Sequence, residues 1–365
     1  MIKGFKIFKN KTSFFFKNNS SETFSNIWLR DHVKNSENWD FKTSQRTTFT
    51  AKLDLNIKVK KAKILKSGKF IEILWSNEEK PINYSYSFLS ANSLKKKEKK
   101  QDIYYWKSKD IKKQIFINYQ QVKTKSGFKT LLKKINKYGF AVIENCKKDL
   151  KSVDNIAKKI GYVRNSIFGG LWSFESNNKK ADSAYSNQEL RPHTDSTYSN
   201  DAPGLQLLLC CQYKAEGGES IMVDGFKLAN EIKKNYIKHF KTLTTTKVKG
   251  SYIGDGVRLE AERPIIKLNN TNNFDQISFN NYDRALFRDT NKNTMNFYKA
   301  IQLFDSMANH EKYQWKHILK PGELLIFNNW RVMHGRGAFT GVRKMAGCYI
   351  NKEDFDSCCR INNII

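Results

Sequence analysis

Four separated residues have the types and the spacing of an iron site that binds an organic acid. His193 and Asp195 are one residue apart, His334 lies far downstream, and Arg343 follows it by nine positions. Two histidines and one carboxylate form the facial triad, which leaves three iron coordination positions open. Either histidine alone would more often be an ordinary polar residue in a turn. A guanidinium at Arg343 adds a rigid fork that can bind a carboxylate in bidentate fashion, and it makes the metal interpretation strong.

The elements that must position these residues are short strands. On an extended strand, His193 and Asp195 would point to one face while Thr194 points to the other. Apolar runs at 205–211, 220–223 and 322–327 are typical of core strands, and the last of them leads to His334. Because the two segments are distant in sequence, we expect a closed or two-sheet β fold to bring them together.

With these motifs in place, the chain resembles the iron(II)- and 2-oxoglutarate-dependent dioxygenases of the butyrobetaine and trimethyllysine dioxygenase group. The resemblance extends from Ile27-Trp28-Leu29-Arg30-Asp31-His32 to Gly347-Cys348-Tyr349. Its most specific segments are 329–336, 339–343 and Phe279-Asn280-Asn281-Tyr282-Asp283-Arg284-Ala285, which are more similar to the trimethyllysine branch.

The resemblance implies a role for each matching position. His193, Asp195 and His334 would be the catalytic iron ligands, and Arg343 would bind the distal carboxylate of 2-oxoglutarate, with O₂ as the second co-substrate and ascorbate as the reductant. Ser220 falls where relatives place a hydroxyl near 2-oxoglutarate, although a strand-end hydroxyl that bonds to backbone is an equal alternative. Arg331 and Arg336 flank His334, and either could bind a carboxylate or serve only the structure.

The substrate implied by the resemblance is a quaternary amine. A trimethylammonium group has no N–H to donate, so aromatic faces must hold it. The implied aromatic cage is Phe168, Trp172, Tyr185 and Tyr349, although such residues are also common in cores.

Asp182 would pair with the α-ammonium of trimethyllysine, which butyrobetaine lacks, and Asn280 or Asn281 would bind the substrate carboxylate. The implied reaction is hydroxylation of trimethyllysine at C3, on the way to carnitine. A butyrobetaine dioxygenase or another quaternary-amine hydroxylase is the alternative, and a non-enzymatic basic binding protein is a remote one.

Composition limits the other function classes. The chain has 365 residues, 39% hydrophobic content and a formal net charge of +30. Lysine is spread along the chain, and the densest run, 95–100, falls in a predicted linker, so we expect no specific nucleic-acid partner. No apolar run is long enough for a membrane span and the first residues lack a signal pattern, so we expect a cytoplasmic protein. A homodimer is an open alternative to a monomer.

Cysteine usage predicts reduced thiols and no zinc site. The six cysteines lack paired zinc-type spacing. Many relatives hold a structural zinc through cysteines just after the Trp-Leu-Arg-Asp segment, but this chain has His32-Val33-Lys34-Asn35-Ser36-Glu37-Asn38 there. We therefore expect no structural zinc, because His32 alone cannot replace the missing thiolates.

Two domains are predicted, in a chain that is mainly β with flanking helices. Residues 1–100 would form a small N-terminal β domain with strands at 5–8, 14–16, 53–59 and 70–75. Residues 101–365 would form the catalytic domain, with helices at 127–137 and 150–160 and a strand at 141–143. The resemblance implies that this domain is a double-stranded β-helix, which is a relative of the jelly roll.

Overall fold

The structure, a computed structural model, describes residues 1–94, 102–175 and 187–365. The chain divides into two compact units, Met1–Lys100 and Gln101–Ile365. Each unit has its own buried apolar core. Among the described residues, no helix is both long and apolar enough to cross a membrane.

The first unit is a small β structure. Two three-stranded antiparallel sheets, β1-β2-β3 and β6-β7-β8, enclose a core that includes Phe14, Leu29, Ile71 and Trp75, all 0% exposed. In β7 the buried and half-buried residues alternate, as the period of two in a strand requires. The elements are β1 (Ile2–Ile7), β2 (Lys11–Phe16), β3 (Ser21–Ser25), α1 (Asn26–Asp31), β4 (Trp39–Asp40), β5 (Gln45–Arg46), β6 (Val59–Leu65), β7 (Phe70–Trp75), β8 (Ile82–Ser85) and α2 (Tyr86–Ala91).

The predicted strand at 53–59 is wrong. Strand β6 begins only at Val59. Before it, the Asp54 carboxylate accepts a hydrogen bond from the backbone N–H of Asn56, and the N–H of Ile57 donates to the carbonyl of Asp54. An aspartate that bonds to the backbone two residues on favours a turn, and this local bond outweighs the apolar pattern around it.

Side-chain hydrogen bonds hold the segment that follows α1. Arg30 donates through Nε to Glu78 at 2.8 Å and through Nη1 to Asn38 at 3.0 Å, while Asn38 donates to Asn35 at 2.6 Å. The ring of His32 stacks on Trp28 with the centroids 4.2 Å apart. Polar side chains therefore connect this segment to the rest of its unit.

The second unit contains two large curled sheets, two smaller two-stranded sheets, and helices outside the large sheets. Its elements are β9 (Phe116–Asn118), α3 (Tyr119–Lys123), α4 (Lys125–Tyr138), β10 (Phe140–Glu144), α5 (Leu150–Ile160), β11 (Val163–Arg164), β12 (Trp172–Glu175), β13 (Leu190–His193), β14 (Leu205–Gly217), β15 (Ser220–Asp224), α6 (Gly225–Asn235), α7 (Ile237–Thr245), β16 (Lys247–Gly254), β17 (Val257–Pro264), β18 (Ile266–Leu268), β19 (Phe274–Ile277), α8 (Asn291–Ala308), β20 (Gln314–His317), β21 (Leu324–Asn328), β22 (Val332–Arg336), β23 (Phe339–Ile350) and α9 (Lys352–Ile361).

The two sheets share one core. The larger has the strand order β11-β23-β14-β21-β10-β9, with β12 also paired to β23, and the smaller has the order β13-β22-β15-β20. Cys210 and Phe327 of the larger sheet pack in one cluster with Met222 and Trp315 of the smaller. This arrangement confirms the predicted double-stranded β-helix.

Helices cover the outer faces of both sheets. Leu205, Leu207 and Leu209 of β14 pack against α4, α5 and α9, while the residues between them face inward, so the larger sheet is buried on both sides. Helices α6, α7 and α8 pack against Ile221 and Val223 on the outer face of β15.

The two predicted helices are confirmed as α4 and α5. Thr124 and Asp149 are their N-caps, and the side chain of each accepts a hydrogen bond from the first turn. Helix α4 ends at Tyr138, and the φ of 83° at the following Gly139 is the left-handed conformation that glycine adopts without strain.

Candidate active site and metal centre

The two histidines of the predicted triad are direct neighbours across two strands. Strand β13 pairs antiparallel with β22 in a register that sets His193 opposite His334. Their ring centroids are 4.4 Å apart, and the His334 ring also packs on Phe327 at 4.7 Å. Pairing of two strands that are remote in sequence therefore brings together the two nitrogen ligands.

Asp195 completes the triad from beyond the end of β13. The prediction that both ligands lie on one strand is wrong, because β13 ends at His193 and the backbone turns at Ser196, where φ is 56°. Asp195 Oδ1 nevertheless lies 3.5 Å from His193 Nε2 and 3.6 Å from His334 Nε2. Thr194 is buried on the opposite side, and its hydroxyl accepts a hydrogen bond from the N–H of Phe279.

Two further side chains hold Asp195 in place. The buried amide of Asn329 accepts a hydrogen bond from the N–H of Asp195 at 2.8 Å and donates to its carbonyl at 3.2 Å. The hydroxyl of Tyr349 donates to Asp195 Oδ2 at 2.8 Å, and Gln206 donates to that hydroxyl at 3.3 Å. These contacts to the backbone and to the outer oxygen of Asp195 orient its carboxylate, and such contacts commonly orient metal ligands in proteins.

The protonation preferences of Asp195 and His334 suit a cation, because the first is ionised and the second is neutral at neutral pH. Burial opposes ionisation of Asp195, but the charges of His334 and His193 and the hydrogen bonds of His193 and Tyr349 hold its pKa at about 2. Burial lowers the pKa of His334 to about 4, so its imidazole is neutral at neutral pH. Burial also disfavours the charged form of His193, yet bonding to Asp195 outweighs it and raises the pKa.

The donor set fits a single metal ion. One ligand atom from each triad residue lies within 4.8 Å of the others. In 1–94, 102–175 and 187–365, these three are the only histidine, cysteine, aspartate or glutamate residues grouped closely enough to hold an ion. The carbonyl of Arg191 lies 2.8 Å from His193 Nδ1, which leaves Nε2 of that ring to bind a metal. Two histidines and a carboxylate match the ligands that iron(II) oxygenases use.

The triad lies in a cleft between the two sheets. Its volume is about 1130 Å³, counting the solvent at its open mouth. The predicted residues that line it are His193, Asp195, His334, Arg343, Ser220, Phe168, Trp172, Asn280 and Tyr349.

Buried positive charge lies in the same cleft. Arg343 and Arg336 are 6% and 9% exposed, and their guanidinium carbons lie 5.2 and 4.9 Å from the centroid of Phe339. Burial and the charge of Arg343 lower the pKa of Arg336 to about 10. Arg343 Nε has no hydrogen-bond partner among the described residues. A buried donor of this kind is costly unless an acceptor arrives, which fits a carboxylate ligand.

Aromatic rings form another wall. Trp172 lies opposite Gly347 in the pairing of β12 with β23, and its ring is 6.0 Å from Tyr349 and 5.5 Å from Phe174. A Cβ at Gly347 would lie 2.3 Å from the indole, so only glycine lets Trp172 pack there. Phe168 lines the cleft as well.

The remaining predicted residues divide into three groups. Asn280 lines the cleft, whereas the neighbouring Asn281 is exposed and accepts a hydrogen bond from Arg284 at 3.2 Å. Asp182 and Tyr185 lie outside the described residues. Arg331 points away from the cleft and pairs with Asp224, so its role is structural, whereas Arg336 lines the cleft.

Sequence reasoning missed several residues of the site. Asp283, Tyr198, Tyr252, Tyr282 and Gln206 all line the cleft. Asp283 and Tyr282 belong to the 279–285 segment on which the resemblance rests, so position in that motif was an available signal. Tyr252 lies on the β16–β17 hairpin, where the sequence holds no such signal.

Comparison with known proteins shows which family the chain resembles. Residues 108–349 match the family described as taurine catabolism dioxygenase TauD, TfdA. Trimethyllysine dioxygenase of Meyerozyma guilliermondii is 31% identical over 367 residues, covering 94% of this chain and 92% of that protein. The mitochondrial trimethyllysine dioxygenases of Rattus norvegicus and Homo sapiens are 31% and 29% identical, with 82% and 83% of their lengths covered.

Solved structures agree on the fold. The crystal structure of AAD-2 in complex with Mn(II) and N-oxalylglycine has a TM-score of 0.50 and 13% identity, and the match covers 62% of this chain and 90% of that one. The resemblance predicted from the sequence is confirmed. The chain belongs to the taurine catabolism dioxygenase TauD, TfdA family of iron(II)- and 2-oxoglutarate-dependent oxygenases.

Proposed function

We propose that this oxygenase hydroxylates N6,N6,N6-trimethyllysine at C3, the first step of carnitine biosynthesis. The observation that supports it most is that one cleft contains the triad, buried arginines and an aromatic wall. The names of the relatives that match over nearly the whole chain support the choice of trimethyllysine.

His193, Asp195 and His334 would hold iron(II) in this cleft. When bound, iron supplies oxidation by O₂ coupled to decarboxylation of 2-oxoglutarate. The protein orients the carboxylate ligand. Asn329 binds the backbone N–H of Asp195, and the Tyr349 hydroxyl donates to its Oδ2. Both contacts act on Asp195, which lines the cleft together with the two histidines.

Arg343 would bind the distal carboxylate of 2-oxoglutarate. Its buried guanidinium has donor capacity that no described residue uses at Nε, and a charge-assisted pair would compensate the cost of burial. Ser220 is 7% exposed on β15, lines the cleft and stands opposite Arg336 in the pairing with β22, so it would add a hydroxyl to the same carboxylate subsite.

The aromatic wall would bind the trimethylammonium group. Phe168, Trp172 and Tyr349 line the cleft, and Tyr185 is the fourth member that the sequence predicts. Cation–π contact holds a group without N–H donors, and each well-placed ring contributes about 0.5–2 kcal/mol depending on its desolvation. This contact would aim the carbon chain of the substrate at the metal.

The opposite end of the substrate would meet polar groups. Asn280, which lines the cleft, would donate to the substrate carboxylate, with Asn281 as the neighbouring alternative. Asp182 would pair with the α-ammonium. Fixing both ends sets which carbon approaches the metal, because reacting atoms must lie about 3–3.5 Å apart with correct alignment.

A turnover assay with matched amines tests the proposal. The purified protein would receive iron(II), 2-oxoglutarate, O₂ and ascorbate, and succinate and the hydroxylated amine would be measured for trimethyllysine, butyrobetaine and unmethylated lysine. We expect coupled turnover with trimethyllysine. Faster turnover of butyrobetaine would overturn the assignment in favour of a butyrobetaine dioxygenase.

The Asp182→Asn variant separates the same two substrates. We expect it to weaken use of trimethyllysine, because the α-ammonium loses its charged acceptor, and to leave butyrobetaine almost unaffected. Equal losses with both amines would contradict the role of Asp182.

The proposal also covers the cellular location of the protein and its partners. We propose a cytoplasmic enzyme that acts on a free small molecule, with no specific nucleic-acid partner. Support comes from its six free cysteines, five of them buried, which fit a reducing compartment. Subcellular fractionation would test the location, since relatives from rat and human are named mitochondrial.

A further inference from the structure

One short turn presents two polar side chains to the cleft. The chain turns at 281–283, and the Asn280 side chain accepts a hydrogen bond from the N–H of Tyr282 at 2.9 Å. Asn280 and Asp283, at the two ends of this turn, both line the cleft. Residues three apart in a turn have Cα atoms within about 7 Å, so an amide and a carboxylate at these positions can reach two groups on one ligand carbon.

Asp283 is held in position from two sides. The N–H of Ser251 donates to its carbonyl at 2.8 Å, which fastens the turn to β16. The Thr197 hydroxyl donates to Asp283 Oδ2 at 3.2 Å. A Cβ at Gly250 would lie 2.6–2.7 Å from Thr197, so glycine is required for this approach. The carboxylate is preorganised rather than free to swing into solvent.

The Asp283 carboxylate has no lysine or arginine partner in the described parts of the chain, and the positive charge that acts on it is that of the His193 ring. Burial and the nearby charge of Asp195 raise the pKa of Asp283 to about 6. A partly buried carboxylate with spare acceptor capacity and no salt-bridge partner is stabilised by a cation that arrives with a ligand.

Trimethyllysine has two cationic groups, a trimethylammonium and a primary α-ammonium. Their different chemistry decides which of them fits beside Asp283. Trimethylammonium has no N–H, so it gains from the rings of Trp172 and Phe168 and gains no hydrogen bond from a carboxylate. A primary ammonium has three donors and needs oxygen acceptors. Asp283 offers such acceptors beside Asn280, the expected contact of the substrate carboxylate, and in an α-amino acid the ammonium and the carboxylate share one carbon.

We propose that Asp283 binds the α-ammonium of the substrate, so that the 280–283 turn recognises the amino-acid head group. The inference rests on the proposed function and deepens it. Asp283 is then a specificity-determining residue that selects trimethyllysine over amines lacking the α-amino group, and it acts independently of Asp182.

Binding measurements with a matched pair of amines test this inference. Trimethyllysine and 6-(trimethylammonio)hexanoate differ only in the α-amino group. Their affinities would be measured by calorimetry without O₂, on protein loaded with iron(II) and 2-oxoglutarate. We expect Asp283→Asn to weaken trimethyllysine binding roughly 10- to 100-fold, as loss of a charge-assisted hydrogen bond implies. Binding of the analogue should change less than about threefold, because it lacks the donor that Asp283 accepts.

Two further variants test whether the loss of binding comes from Asp283 itself. Thr197→Val removes the hydroxyl that orients Asp283, and it should weaken trimethyllysine binding in the same direction by a smaller factor. Asp275→Asn is the matched control, because Asp275 pairs with Lys267 at 2.7 Å and does not line the cleft, and it should bind both amines as wild type does.

The outcomes separate this inference from the proposed function. If wild type oxidises trimethyllysine but Asp283→Asn binds both amines unchanged, or loses both equally, the inference is overturned and the proposed function stands. If wild type neither binds nor oxidises trimethyllysine, both are overturned. A loss confined to Asp182→Asn would assign the α-ammonium to Asp182 alone and also overturn the inference.

Discussion

Arg331 and Asp224 form an almost fully buried ion pair, with Arg331 Nη2 2.8 Å from Asp224 Oδ2 and the side chains 2% and 0% exposed. Arg331 Nε also donates to Asp224 at 3.0 Å, and Nη1 donates to the carbonyl of Lys137 at 2.9 Å. Asp224 ends β15, and Arg331 directly precedes β22, the strand of His334. The pair therefore ties the strand of a metal ligand to its neighbour.

Replacing Arg331 by leucine should lower the free energy of unfolding by about 3–5 kcal/mol, because Asp224 would stay buried without its countercharge. Chemical denaturation would measure the loss. The control is Lys267→Met, which breaks a partly exposed pair with Asp275 and should cost under about 1 kcal/mol. A loss of similar size in both variants would show that the buried pair has no special role.

Removing a triad histidine should abolish turnover and keep the fold. We expect His193→Ala and His334→Ala to lose iron binding and coupled succinate formation, because each histidine is one of three ligands. Metal content, succinate release and circular dichroism would be compared with His239→Ala, a histidine on α7 outside the cleft. Near-wild-type activity in either triad variant would refute the assignment.

Exchange of Arg343 for lysine should weaken 2-oxoglutarate binding at least tenfold. A lysine offers a point charge where the guanidinium offers a bidentate fork, and the difference is about 1.5–3 kcal/mol. The apparent 2-oxoglutarate affinity would be measured beside Arg258→Lys, an exposed arginine on β17. An unchanged affinity in Arg343→Lys would transfer the role to Arg336.

Tyr349→Phe distinguishes support of the metal from contact with substrate. The variant keeps the ring but loses the hydroxyl that donates to Asp195 Oδ2. We expect iron affinity to fall roughly 10- to 100-fold, as it does when a group that hydrogen-bonds to a metal ligand is removed, while the KM for the amine changes little. Tyr104→Phe, on a partly exposed tyrosine, is the control. A raised KM with normal iron affinity would mean that the hydroxyl serves the substrate alone.

The sequence by itself determined the parts of this protein that depend on residue type and local period. The helix predicted at 150–160 matches the bounds of α5, because apolar side chains at helical spacing are a local signal. The triad and Arg343 were predicted because few residue types bind iron or a dicarboxylate.

Only the tertiary structure decided how these residues meet. The register of β13 on β22 sets His193 against His334, and Asn329, distant in sequence, places Asp195 beyond the strand end. The sequence also could not predict the direction in which a side chain points. Arg331 points to Asp224, whereas Arg336 points into the cleft. Only the folded chain brings Asp283 and Asn280 into the cleft that contains the triad. Strand register and side-chain direction depend on pairing and burial between remote segments, and no local pattern contains that information.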